Sequence, residues 1–278
     1  MDVDRAVEAA ASAEGARRLL DRAREEGRVE LKPLYGLELC TLGGHRHALG
    51  DESIGTAWSR FPRRSRSRAA EFATEGLVSR GLLTEQPPAL PGTVELSGRT
   101  YALDPRLALP LWARGRPHYA VVTEVEGRAL RTPRLFAPAT PGDAARPLVV
   151  EIPEPLPAEH ADDFPHARKL GPLGWLYRYL LVTPQVAATL LADLSMRPPP
   201  PPDPSSGGSA APLPARVLSV FHHPDGKRPS ATARVRVTSD GVSAHLLRGS
   251  PRDDAALPAY DKPALEAVIA DLLARAAV

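Results

Sequence analysis

The chain has 278 residues, 43% of them hydrophobic and 24% charged, with a formal net charge of +2; it is long enough to bury an ample core, in one large domain or two small ones. Its single cysteine, Cys40, excludes an intrachain disulfide and any cysteine-based zinc site, and the near-neutral balance argues against a dedicated polyanion-binding domain. No apolar run reaches the length of a membrane span, and the start "MDVDRAVEAAASAEGARRLL" has no continuous apolar stretch of the signal-peptide kind, so a cytoplasmic protein is expected.

Taken in chain order, residues 2–26 read as one helix, with Val3, Val7, Ala10, Leu19, Leu20 and Ala23 near helical spacing and Gly27 at the C-terminal cap. Alternating Leu37 and Leu39 and the Gly43-Gly44 pair predict a hairpin. Asp51 or Ser53 caps a short helix through Trp58, which Pro62 ends. Ser65 or Ser67 caps the next helix, carrying Ala69, Phe72, Ala73, Leu77 and Val78 and closed by Gly81. "TVELSGRTYAL" then reads as a second hairpin around Ser97-Gly98. Hairpin, helix, helix, hairpin is the order of a small winged-helix module.

Asp104-Pro105 opens a helix that Pro110 kinks or shortens. Strands are predicted at 118–125 and 128–137, joined by a tight turn at Glu126-Gly127, and at 147–153. In "WLYRYLLV" (175–182), Trp175, Tyr177, Tyr179 and Leu181 fall on one strand face, which favours core packing over a stacking platform. Thr183-Pro184 starts a further helix. "RPPPPPDPSSGGSAAPLP" is a stiff-then-flexible spacer. Beyond it, "RVLSVFHH", "TARVRVTS" and "VSAHLLRG" form a three-stranded meander turned at Asp225-Gly226 and Asp240-Gly241. Asp261 caps a closing helix striped with Leu265, Val268, Ile269, Leu272 and Leu273. Strand meanders followed by a helix thus occur twice, which suggests two similar halves.

Few constellations carry chemistry. Arg60, Arg63, Arg64, Arg66 and Arg68 lie before and in the start of a predicted helix, where they suit an anionic ligand better than the helix itself; with so little net charge, a polypeptide contact or a solvated face explains them better than DNA. His45 and His47 would share a strand face, but spacing fixes no third metal ligand. "EHADDFPH" (159–166) sits in a proline-rich loop, and His222 and His223 face opposite ways on one strand. No metal or other cofactor is expected, and no Walker, GxGxxG, GxSxG, HExxH or S-x-x-K signature occurs. The chain is therefore expected not to be an enzyme, although an active site can lack a local motif.

Three stretches, "AAEFATEGLVSRGLL", "YALDPRLALPLWARGRPHYAVV" and "ARVLSVFHHPDG", resemble the EspG-type chaperones of type VII secretion. That family's last turn continues into Gly-Arg and an aromatic, where "PDGKRPSATARV" stands here. The resemblance implies a cytosolic, non-enzymatic protein of two pseudo-related halves that binds helical secretion substrates, with the loop at Glu126, Gly127 and Arg128 as the analogous contact edge. Residues 35–83 are also similar in order to the winged-helix elements that capture leader peptides by strand addition.

Together these readings predict an α+β protein of short antiparallel meanders packed with helices. They divide it into an N-terminal helix (1–27), an α+β domain (28–196, winged-helix-like over about 35–103), a linker (197–214) and a C-terminal meander plus helix (215–278). The expected function is a cytosolic adaptor or chaperone for a polypeptide, either a secretion substrate or a precursor peptide. Its candidate contacts are Glu126, Gly127 and Arg128 with Arg63, Arg64, Arg66 and Arg68. A winged-helix DNA-binding transcription regulator is the alternative, and an enzyme without a recognisable motif the second.

Overall fold

A computed structural model describes residues 3–47, 52–87, 92–125, 134–138, 146–154, 167–197, 215–222, 230–247 and 258–277. The fold is α+β, as the sequence implies. Its main sheet contains strands β1 (Arg28–Glu30), β2 (Leu34–Tyr35), β6 (Pro117–Val125), β7 (Arg134–Pro138), β8 (Leu148–Glu154), β9 (Leu176–Val182), β10 (Arg216–His222), β11 (Ser230–Ser239), β12 (Ala244–Leu247) and β13 (Ala259–Tyr260). A small sheet holds β3 (Leu83–Gln86), β4 (Thr93–Leu96) and β5 (Arg99–Leu103). The helices are α1 (Val3–Ser12), α2 (Glu14–Glu26), α3 (Gly36–Thr41), α4 (Glu52–Arg60), α5 (Arg63–Ser79), α6 (Pro105–Gly115), α7 (Pro184–Met196) and α8 (Lys262–Ala276).

The main sheet runs β1-β9-β8-β7-β6-β10-β11-β12-β13, with β2 also on β9, and every pairing is antiparallel. Around the β6–β10 seam the order reads the same outward in both directions, β6-β7-β8-β9 and β10-β11-β12-β13. Each run of four strands is followed by a helix with a side-chain N-cap and a proline in its first turn: Thr183 before α7 and Asp261 before α8. The two helices pack on each other and on the same face of the sheet, over Val121, Leu180, Leu218, Val220 and Val237. The two halves are therefore related by an approximate twofold axis through the seam, and strands from residues 28–196 and 215–278 share one sheet.

The opposite face of the first half is covered by the N-terminal block. Helix α6 lies over β6, β7 and β8, and α1 and α2 pack on α6, so that Leu107, Leu111, Ala120, Val122, Phe136, Val149 and Tyr177 share one core. Asp104 caps α6 by accepting from Arg106 N at 2.8 Å. Burial pushes the Asp104 carboxyl up, but its hydrogen bonds to Arg106 outweigh this and hold it below the usual range. Asp104→Ala is expected to lower stability by ~1 kcal/mol, read from urea unfolding of the full chain; an unchanged midpoint would mean the cap contributes nothing.

Several expectations are corrected. Residues 2–26 form two helices, because Ala13 is extended (φ −67°, ψ 161°); the break brings Gly15 against Pro105, where a Cβ would lie 2.9 Å from the ring. The hairpin around Gly43-Gly44 is instead α3 followed by a 3-10 turn at Gly44–His47. Gly36, Leu37, Glu38, Leu39 and Cys40 are all buried, so this short core helix shows no helical period. His45 and His47 consequently share a turn, not a strand face. Helix α5 begins at Arg63 after Pro62, ahead of Ser65 and Ser67, and a strand the sequence did not reveal, β3, follows it. Helix α6 runs through Pro110 to Gly115. Asp51, the turn at Glu126-Gly127, the 159–166 loop, residues 198–214, His223 and Asp225-Gly226 lie outside the described residues.

Candidate functional site

The most concentrated chemistry is a buried ion cluster under α6. Arg114, at the end of that helix, is fully buried, as is Glu151 of β8, and Arg134 of β7 is nearly so. One Glu151 oxygen pairs with Arg114 and accepts the Tyr179 hydroxyl at 2.9 Å; the other accepts from Arg134 at 2.9 Å. Arg114 also donates to the Gly44 carbonyl at 3.3 Å and lies 6.0 Å from the ring centres of Phe136 and Tyr177. Burial, and then the Glu151 charge, push the Tyr179 phenol well above its ordinary value, so it stays a neutral donor. Each charge faces a partner, and the arrangement joins α6, the 3-10 turn and three strands; it is a latch for the N-terminal block.

A second ion pair, between buried Glu38 and half-buried Arg80, holds α5 on α3. Glu38, 2% exposed, meets Arg80 at 2.5 Å and accepts from Tyr35 N at 2.9 Å. Burial raises its carboxyl above the ordinary value, against the opposing pull of Arg80. Gly81 ends α5 at φ +66°, with Leu82 N donating to Leu77 O, a left-handed cap that glycine adopts without strain.

The four arginines expected to bind a partner fall in the first turns of α5. Arg63, Arg64 and Arg68 are exposed and Arg66 is half-buried. Glu126, Gly127 and Arg128 lie outside the described residues; the strand that leads to them ends at Val125, paired with Arg216 across the seam. Of the two groups, only the arginines are therefore placed, on α5 beside the small sheet.

Sequence reasoning missed a surface on β10–β12 that the described helices cover less than its counterpart in the first half. On the side where α6 covers the first half, no described helix packs extensively on β10, β11 or β12, although Phe221 of β10 packs against the α6 core and Ser219 is buried. Across that side run Glu124, Val217, Arg236 and Leu247 in one row, with Ser219 and Arg234 in the next and Thr238 beside His245 in a third. Val217 and Leu247 are half-buried and pack into neither core, although β10 is central in the sheet. Val122 faces Arg134 on one side and Ser219 on the other, and Ser219 faces Arg234. Turning one half onto the other about Val122–Ser219 therefore places Arg134 on Arg234. The first is buried against Glu151 beneath α6; the second is exposed. The alternation of Arg234 and Arg236 with Val235 and Val237 was the available signal.

Comparison with protein-family models, with curated proteins and with solved structures finds no match to this chain. No described helix is long and apolar enough to cross a membrane, and no group of three or more metal-ligating side chains occurs among the described residues.

Proposed function

We propose that this chain is a non-enzymatic adaptor or chaperone, and that it captures a polypeptide on the side of β10–β12 that the described helices leave largely uncovered. The observation that carries the reading is the unequal covering of two related half-sheets: one bears α6 and its supporting helices, while the other presents Val217, Leu247, Arg234 and Arg236. Apolar side chains flanked by guanidinium groups suit an amphipathic helix with carboxylates along its edge, because burial of the apolar stripe supplies affinity and the charges fix orientation. Such a helix would lie where α6 lies in the first half. Glu126, Gly127 and Arg128, which come next after β6 in the sequence, stay candidate contacts on the EspG likeness. The likeness to EspG-type chaperones makes a helical secretion substrate the first candidate partner and a precursor peptide the second.

The test is affinity capture from nuclease-treated extracts of the source cells, with wild type compared with Val217→Glu. A polypeptide held by wild type and lost by the variant is the expected result. Retention of nucleic acid alone, or capture indifferent to Val217, would overturn the proposal.

A further inference from the structure

Helix α5 carries its charges in the order that opposes its own dipole. Arg63, Arg64, Arg66 and Arg68 occupy its first two turns, no acid lies in the first turn, and Pro62 supplies no side-chain cap. The acids Glu71 and Glu75 come later. Cations at a helix N-terminus are mildly unfavourable to the helix itself, an effect that a nearby anion would offset. The inner side of α5, with Ala73, Thr74 and Leu77, packs on α3 and the small sheet. Its outer stripe presents Arg64, Arg68, Phe72 and Glu75, all exposed, with Phe72 at 51%.

We propose that this stripe binds the same stripe of a second copy of the chain, with the two α5 helices antiparallel about a twofold axis beside Phe72. The stripe is complementary to itself. At 1.5 Å per residue, Arg68 lies about 6 Å to one side of Phe72 and Glu75 about 4.5 Å to the other. An antiparallel partner therefore sets each Arg68 opposite the other copy's Glu75. Because a twofold axis brings identical flanks together, the two Phe72 rings meet between these pairs. One helix pair buries less than a standard stable interface, so the dimer is weak, reversible and loosened by salt. The inference stands apart from the capture surface on β10–β12.

Sedimentation equilibrium of the full chain at low salt tests it. Wild type is expected to dimerise with rising concentration. Arg68→Glu and Glu75→Arg are each expected to weaken the dimer about tenfold or more, since each replaces two attractions by two repulsions. The double variant, which restores opposite charges, is expected to recover it. Both positions are exposed, and circular dichroism checks that each variant folds. As an independent reading, Phe72→Cys should cross-link the dimer on oxidation, while Cys40 is buried. A wild type that stays monomeric throughout, or a dimer indifferent to the reversals or not restored by the double variant, would refute the proposal. So would a monomer whose binding to duplex DNA is lost in Arg68→Glu, which would give the stripe to that ligand.

Discussion

Glu151→Gln is expected to destabilise the chain by about 3–5 kcal/mol, because it leaves two guanidinium groups beneath α6 without their carboxylate. Arg114 and Arg134 both pair with Glu151, and all three are buried. Water cannot replace the lost charge, so the variant relieves the strain by letting α6 and the 3-10 turn lift from the sheet. Urea unfolding should show the loss directly, and hydrogen exchange should show it concentrated in α1, α2 and α6. Replacing Arg114, Arg134 and Glu151 together by apolar residues of similar volume is expected to be far milder, since the cost of burying the charges disappears with them. A loss below ~1 kcal/mol for Glu151→Gln would mean that the cluster is solvated and is not the latch described above.

The second large effect belongs to the capture surface. Arg234→Glu combined with Arg236→Glu is expected to weaken partner binding about a hundredfold or more, while the fold is retained. The two reversals turn attraction into repulsion next to an apolar contact that excludes water, where like charges cost several kcal/mol. Titration calorimetry or fluorescence anisotropy with the purified partner would measure it. Raising the salt should weaken wild-type binding only modestly, because burial of Val217 and Leu247 against the partner supplies part of the affinity; a steep dependence would point to phosphate contacts instead. Equal affinity in the charge-reversed chain would remove the carboxylate-edged helix from the account.

What the sequence made legible follows the reach of each signal. Helices α7 and α8 announce themselves by local chemistry, Thr183-Pro184 and Asp261 at their starts, and the pairing of two similar meanders is visible as repeated order. Tyr177, Tyr179 and Leu181 are fully buried, as their period-two spacing suggested. Helix α3 was misread because burial on all sides erases its period, and Leu37 and Leu39 alone mimic a strand. The break at Ala13 sets Gly15 against Pro105, a distant contact that no local pattern announces. The candidate site was hidden for the same reason: alternation shows that β11 has one apolar side, but only the β6–β10 pairing decides which side α6 covers and where it stops. The arginines of α5 were conspicuous in the sequence, yet their place in the first turns of the helix was not, because Pro62 starts it ahead of the expected serine caps.

The most direct test of the central claim is a photo-crosslinking residue placed at Leu247 in the full chain, expressed in its source cells, with Ala274 on the exposed side of α8 as control. A covalent adduct is expected from position 247, and none from 274, with the cross-link mapping to an acid-bearing helical segment of a protein. Adducts from 274 alone, or nucleic acid at position 247, would contradict it.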